Sequence, residues 1–407
     1  MFSGILEKVK GGNSSMKCYR EPTGVIVIGD HIQALGIIRS LGRHGIPVYL
    51  LHDKTLCISR FSRYCYKFIK TPSMDNESDF ISFLAELAKK FDVNDYILMP
   101  TNDAAVRILS KNKDFLEKYY KVPTPHWDIT KFALNKELTY SLAAENGIPV
   151  PKTIHPKNVE DLQKLHINYP VVLKGVEGLN FYRKTGAKAF RANSLGELKR
   201  IYEKNSTLID FSEIIIQEEI PGGTDLMYSF CSFFKNDELL GVWTGRKVRE
   251  HPVGLGTGTF AESIYVPEIV ELGSKLLSAM NYYGISEIEF KKDPRDNKFK
   301  LIEMNARTWL WISLAVRAGV DFPYMLYKDI MGDGIAPVKS FREGIRWMHI
   351  YTDLGVMIKE IPRGNMMIKD YFASLNNGEK EFAVFSLNDP LPFIMETLTL
   401  PYLWKTR

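Results

Sequence analysis

The sequence predicts a protein that is part α/β and part α+β, and three observations carry that expectation. A strand–helix–strand opening begins at Gly24, two strand-like runs meet at a turn near Asp296, and a β-branched run ends in the hinge Pro221-Gly-Gly223. In the opening, Gly24-Val-Ile-Val-Ile-Gly-Asp30 reads as a strand, Ile32 to His44 follows at helical period, and Pro47-Val-Tyr-Leu-Leu51 reads as a second strand. A further strand, Tyr96-Ile-Leu-Met-Pro100, runs into Thr101-Asn-Asp103 and the helix Ala104 to Lys111. Ligands gather at the carboxyl ends of strands in such open sheets. The segment Gly29 to Gly36 lacks the G-x-G-x-x-G spacing of a dinucleotide loop, so a scaffold forming one wall of a pocket is expected there, without a nicotinamide cofactor.

Size and composition set the frame. At 407 residues the chain exceeds the length at which one hydrophobic core keeps growing, so two or three packed domains are expected. Apolar residues at 45% and charged residues at 25% argue against disorder, fibres and repeats. The net charge of +5 comes from 53 basic and 48 acidic side chains without an arginine-rich block, so no nucleic-acid partner is expected. A modest positive surplus suits an enzyme of nucleotides or anionic substrates, whose charges need facing cations. Cys18, Cys57, Cys65 and Cys231 have neither zinc-site spacing nor the density of a disulfide scaffold, which points to reduced thiols and a cytoplasmic location. Residues 1–23 read as a leader with no signal-peptide run, and no later segment approaches ~20 consecutive apolar residues, so no transmembrane segment is expected.

The strongest chemistry lies late in the chain. Ser286-Glu-Ile-Glu-Phe-Lys291 and Lys298-Phe-Lys-Leu-Ile-Glu303 flank the turn formers Asp293-Pro-Arg-Asp-Asn297, which predicts a hairpin with Glu289 opposite Glu303. Residues facing across a hairpin have Cβ atoms about 4.5–5.5 Å apart, so the two carboxylates repel, and a divalent cation between them would relieve the clash. With the amide oxygen of Asn305 they form a hard-oxygen set of the kind magnesium takes while keeping positions for phosphate and water.

The nucleotide-facing features come earlier. Tyr169-Pro-Val-Val-Leu-Lys174-Gly175 is a buried-looking strand ending on a lysine, whose ammonium needs a phosphate, a purine ring or another strong acceptor. Gly175, Gly178 and Gly186, with Arg183, Lys184 and Lys188, read as a glycine-spaced basic loop able to bring N–H groups and charge to a triphosphate. Glu213-Ile-Ile-Ile-Gln-Glu-Glu-Ile-Pro-Gly-Gly223 is a strand entering a hinge, where free backbone groups can read an adenine edge while Gln217 or Glu218 accepts from its amine. A second basic segment, Thr244 to Gly258, places Arg246, Lys247 and Arg249 before Gly254, Gly256 and Gly258. It reads as a mobile anion-binding lid, with a long solvated hairpin as the alternative. His251 has no nucleophile or second ligand beside it and is assigned no catalysis.

Taken in order, Lys136, Ile148-Pro-Val-Pro151, Pro170-Val-Val-Leu-Lys174-Gly175, Gln217-Glu-Glu-Ile-Pro-Gly222, Glu289 and Glu303-Met-Asn-Ala-Arg307 resemble the ATP-grasp superfamily, over about residues 24 to 335. Within it the chain is similar to the carbamoyl-phosphate-synthase-like and D-aspartate-ligase-like carboxylate–amine ligases. The Glu303 to Arg307 string is also similar to that of biotin carboxylase. The resemblance implies a Rossmann-like pre-ATP-grasp domain over 24–122, a two-lobed ATP-grasp fold over 123–337, and an extension over 338–407 that completes the core or makes a dimer contact.

It further implies that Lys136 and Lys174 hold the phosphates and adenine, that Gln217, Glu218, Glu219 and Ile220 read the adenine edge, and that Asp225 meets the ribose. Glu289, Glu303 and Asn305 would hold magnesium, or manganese in its place. Arg307 would face the carboxylate or its acyl phosphate, and Arg246 and Lys247 of the basic segment would bind an anionic substrate. The activity implied is an ADP-forming carbon–nitrogen ligase using ATP, a small-molecule carboxylate and an amine, with a homodimer as one assembly. Two alternatives stay open: a carboxylase-like or kinase-like enzyme acting on bicarbonate or a small carboxylate, and a non-catalytic nucleotide-binding regulator, which the full metal set disfavours. The glycine-rich segment departs from the family pattern through bulky Phe181 and Tyr182. Within 338–407, Arg346 to Tyr351 and Gly378 to Phe385 read as strands, and the apolar Pro390 to Trp404 as a packed helix.

Overall fold

The structure is a computed structural model that describes residues 22–163, 166–254, 256–376 and 378–406, with side chains described up to residue 400. The expected leader, Cys18 included, lies outside these residues apart from Pro22 and Thr23. Three sheets organise the chain.

The first is a four-stranded parallel sheet of β1 (Val25–Ile28), β2 (Val48–His52), β3 (Cys65–Lys70) and β4 (Ile97–Pro100), in the order β3-β2-β1-β4. All four residues of β1 are buried, because helices cover both faces of a parallel sheet and leave no side for water. The helix Ile32–Arg43 packs one face, and at Gly36 an added Cβ would lie 2.6 Å from Ile312 Cγ2, so only glycine permits that approach.

The second sheet is small and contains β5 (Thr153–Ile154), β6 (Val171–Gly175), β7 (Ala189–Ala192) and β8 (Ile214–Glu218), in the order β5-β8-β6-β7. The third has seven strands: β9 (Met227–Lys235), β10 (Glu238–His251), β11 (Thr257–Ser263), β12 (Gly284–Lys292), β13 (Phe299–Asn305), β14 (Arg346–Met348) and β15 (Lys380–Phe382). Their order is β13-β12-β9-β10-β11-β14-β15. Residues 338–407 thus add two strands to the edge of the large sheet, and Trp347, Ala383 and Val384 enter a core that also contains Ile38, Trp243 and Trp309. The end of the chain is tied to the first sheet's elements as well: Asp389 accepts from Arg39 Nε at 2.9 Å, Ser62 Oγ at 2.7 Å and the Arg63 amide at 2.8 Å. Among the described residues no helix is long and apolar enough to cross a membrane.

Two sequence expectations are corrected here. The glycine-spaced basic loop is a helix, Gly178–Thr185, with Phe181 buried beneath Gly175. Its glycines are punctuation: Gly178 opens the helix and Gly186 ends it with φ of 72°. Two of the three cations are paired, Lys184 with Glu213 at 2.5 and 2.7 Å and Arg183 with Asp75, while Lys188 follows the helix and lies 3.4 Å from Thr257 Oγ1.

The basic lid is mostly strand. Thr244 to His251 belong to the fourteen-residue β10, and only the connection between Pro252 and Gly256 lies outside β10 and β11. Arg249 is buried and grips Asp353 of the helix Ile350–Glu360 through two 2.8 Å contacts, while Thr259 Oγ1 donates to the same carboxylate at 2.9 Å. Removing one partner of a buried ion pair strands the other. Asp353→Ala is therefore expected to lower the free energy of unfolding by about 3–5 kcal/mol, read as a lower denaturant midpoint, and pairing Asp353→Leu with Arg249→Met should recover most of the loss. A single variant as stable as the parent would contradict this.

Candidate active site

The site is built on one face of the large sheet. The register of β12 against β13 sets Glu289 opposite Glu303 and Glu287 opposite Asn305, and that of β12 against β9 sets Glu289 beside Ser229. Because side chains alternate along a strand, Glu287, Glu289, Glu303 and Asn305 share a face, and Ile288, Phe290 and Met304 fill the core on the other.

Cations close over these carboxylates. Lys136 opens the helix Lys136–Glu145, which Asn135 caps by accepting from the Leu138 amide, and its Nζ donates to Glu303 Oε1 at 2.7 Å. Burial alone would raise the Glu303 pKa, but Lys136, then Lys174 and Arg307, hold it down at about 2. Lys174 on β6 reaches the same place from the small sheet: its Nζ donates to Tyr140 Oη at 2.9 Å, and that hydroxyl donates to the Ile302 carbonyl at 2.6 Å. Lys247 on β10 is buried and lies 3.7 Å from Glu250 Oε2. Burial would lower its pKa, yet Glu289, then Glu250, Glu287 and Glu303, raise it and keep it charged.

Lys136 and Lys247 thus offset the charge of the facing carboxylates.

Arg307 leaves the end of β13 and is fixed at three points. Nε donates to Asp103 Oδ1 at 2.6 Å, Nη2 to Asn305 Oδ1 at 2.8 Å and Nη1 to the Thr308 carbonyl at 3.1 Å. Asp103 opens the helix Asp103–Lys111 at the carboxyl end of β4, so the parallel sheet supplies one anchor of this arginine.

Glu287 was not singled out in the sequence. It is buried, and its carboxylate accepts from Ser229 Oγ at 2.8 Å, Asn305 Nδ2 at 3.1 Å and Trp311 Nε1 at 3.2 Å. Burial first, then Glu289, pushes its pKa up to about 7. The alternation Glu287-Ile288-Glu289 was the available signal, since it puts both carboxylates on one face of a strand.

Other expected residues lie elsewhere or are engaged differently. Arg246 is adjacent to Lys247 on β10 and so points to the opposite face, where it pairs with Glu262. It is not brought to the carboxylates. Gln217 is buried and donates to Thr153 Oγ1 at 2.8 Å. Glu218, expected to accept from an adenine amine, is instead held by Arg295 across the hairpin turn, and Glu219 accepts from Arg191 at 2.5 Å. The Ile220 and Gly222 carbonyls both accept from Lys291 Nζ, at 2.8 and 3.0 Å, which fixes the hinge. Asp225 is exposed in the 3-10 turn Thr224–Leu226 just beyond it. Gly222 has φ of 95° and an added Cβ would lie 2.3 Å from Leu226, so the hinge requires glycine there.

The donor set fits magnesium by its chemistry, with two opposed carboxylates and one amide oxygen, all hard ligands. Among the described residues no three His, Cys, Asp or Glu side chains group as a metal cage. An ion held here would complete its shell from phosphate oxygens and water, as magnesium ordinarily does.

In comparisons with known proteins, no family model matches the chain. It is 26% identical over 301 residues to the D-aspartate ligase of Enterococcus faecium (strain Aus0004), covering 69% of this chain and 70% of that protein. It is 24% identical over 269 residues to the carbamoyl phosphate synthase large chain of Thermoanaerobacter pseudethanolicus, covering 62% of this chain but only 24% of that longer protein. Among solved structures it superposes on the N5-carboxyaminoimidazole synthetase of Staphylococcus aureus complexed with ADP, with a TM-score of 0.63 and 16% identity, covering 84% of this chain and 86% of the other.

The Lys136–Glu303 contact yields a prediction for the metal-free protein. The Glu303 pKa lies below its ordinary 4.5, so its stabilisation is complete above about 4.5 and is lost as pH falls toward about 2. Glu303→Gln and Lys136→Met should each lower the thermal midpoint in chelator, with the double variant losing less than the two losses combined. Fully additive losses would show that the pair does not interact.

Proposed function

We propose, with its place in the ATP-grasp superfamily as the premise, that this chain is an ADP-forming ligase that activates a carboxylate as an acyl phosphate and joins it to an amine. The observation that carries the reading is one face on which Glu289, Glu303 and Asn305 lie opposed, with Lys136, Lys174, Lys247 and Arg307 gathered around them. The ligases similar in sequence and the ADP-bound structural relative support it.

Each residue has a task that follows from its charge and place. Lys174, between Tyr140 and the carboxylate face, and Lys136 are placed to bind phosphate oxygens from the small-sheet side. When nucleotide arrives, Lys136 can exchange its contact with Glu303 for a phosphate, which frees that carboxylate. Glu289, Glu303 and Asn305 would hold magnesium, whose chemistry is to neutralise charge on the transferring phosphoryl group. Arg307 presents its fork beyond Asn305, where a planar guanidinium suits both a carboxylate and a phosphate. Lys247 lies within the carboxylate face and adds positive charge there.

A carboxylate is a poor electrophile, because expelling oxide or hydroxide is unfavourable. Phosphorylation supplies a leaving group, the amine attacks the carbonyl carbon, and the tetrahedral adduct expels phosphate. Such chemistry asks for positioning and electrostatics more than for an acid–base pair, which fits a site of Lys, Arg and Glu.

The test is to screen small carboxylates, D- and L-amino acids among them, for stimulated ADP release, and then to compare wild type with Arg307→Met. Affinity for a fluorescent ATP analogue should survive in the variant, whereas turnover should fall roughly 10²–10³-fold. Lys174→Met should do the reverse, raising the ATP requirement without changing substrate choice. An Arg307→Met enzyme that ligates normally, or one that fails because it no longer binds ATP, would remove Arg307 from the proposed role.

A further inference from the structure

The inference concerns Glu287 and rests on the metal reading above. The side-chain amide of Asn305 has two neighbours of opposite and fixed hydrogen-bonding character. Its Nδ2 lies 3.1 Å from Glu287 Oε2, which accepts in the ionised carboxylate and also in the neutral acid when the proton sits on Oε1 toward Ser229. Its Oδ1 lies 2.8 Å from Arg307 Nη2, and a guanidinium only donates. The orientation of the amide is thus dictated by its neighbours, with nitrogen toward Glu287 and oxygen toward Arg307. An oxygen has a second lone pair, which Arg307 leaves available.

Glu287 is held just as firmly. Trp311 Nε1, a donor with no accepting capacity, and Ser229 Oγ both address its Oε1, at 3.2 and 2.8 Å. Oε2 is thereby left for Asn305. The chain of contacts runs from Ser229 and Trp311 through Glu287 to Asn305, then to Arg307 and Asp103, and every member is a side chain on a strand, a helix start or the turn that follows β13.

We propose that Glu287 is a positioning residue that orients Asn305 so that the amide oxygen, and not the nitrogen, is presented to a divalent cation bound with nucleotide. It does not touch the ion or the reacting atoms itself. Partners of this kind fix ligand orientation, and their loss typically costs 10–100-fold in metal affinity.

The contacts specify an informative variant. In Glu287→Gln the donor Trp311 keeps the new amide oxygen at the Oε1 position, so the new NH2 group occupies the Oε2 position and faces Asn305 Nδ2. Two donors then oppose each other, and turning the Asn305 oxygen inward would only move the clash to Arg307 Nη2, so the amide is no longer held with its oxygen outward. Adding Asn305→Asp removes the conflict, because a carboxylate at that position accepts both from the amide introduced by Glu287→Gln and from Arg307, and the double variant keeps the net charge of wild type.

The experiment measures binding of manganese, as a paramagnetic probe, to the full-length protein saturated with ADP, with ADP affinity in chelator as the control. Wild type should bind the ion. Glu287→Gln should bind it 10–100-fold more weakly, with ADP affinity in chelator unchanged, and Glu287→Gln/Asn305→Asp should recover most of the loss. Ser229→Ala, which removes one donor that steers Glu287, should weaken binding in the same direction and gives an independent reading if Glu287→Gln folds poorly. Manganese binding equal to wild type in Glu287→Gln, or no recovery in the double variant, would overturn the proposal while leaving the metal site standing. Absence of manganese binding in wild type would overturn the metal reading itself.

Discussion

Two carboxylates facing each other across adjacent antiparallel strands are the constraint on which the rest of this structure depends. Like charges directly opposite on paired strands repel, and the fold brings positive charge to Glu289 and Glu303 from three directions. Lys136 comes from a helix start, Lys174 from the small sheet and Lys247 from the same large sheet. The same lysines are the groups a polyphosphate would seek. In the proposed mechanism binding proceeds by exchange: phosphate would take the lysines and a cation the carboxylates, replacing the ion pairs that hold the site together without them.

The surrounding architecture keeps this face in register. Asp103, at the carboxyl end of a parallel strand, holds Arg307 at the end of β13, so the position of Arg307 is defined by two sheets together. The last seventy or so residues do comparable work at the far edge: they lengthen the large sheet by two strands, bury Arg249 against Asp353 and clamp Asp389 onto Arg39. These contacts reach from the edge strands to the helix covering the first sheet. The close approach at Gly36 and the shared tryptophan-rich core make the interface between these parts tight.

Much of this was legible in the sequence wherever the information was local. The turn residues Asp293 to Asn297 mark the hairpin and bring Glu289 and Glu303 to within one residue of facing each other, and a register shift between Glu289 and Phe290, which the turn does not encode, completes their opposition. The strand–helix–strand opening was equally plain from β-branched runs and helical period. What escaped depended on distant partners or on cues with two meanings. Arg249 looked like part of a lid because its partner, Asp353, lies 104 residues away, and the contact of Glu218 with Arg295 was hidden because Arg295 reaches it from the hairpin turn, 77 residues on. Gly178 and Gly186 suggested a loop, whereas they mark the two ends of a helix whose buried Phe181 anchors it. Glu287 escaped because a carboxylate that serves another side chain has no motif of its own.

In the proposed reaction the carboxylate becomes an acyl phosphate before the amine attacks, and positional isotope exchange reads that order of events. ATP labelled with heavy oxygen at the bridge between the β- and γ-phosphates is incubated with enzyme, magnesium and the carboxylate substrate, with the amine withheld. Reversible phosphoryl transfer should move the label from the bridge to the non-bridging positions of the β-phosphate, and only when the carboxylate is present. Label that stays in the bridge, in enzyme that forms ligated product once amine is supplied, would contradict the account.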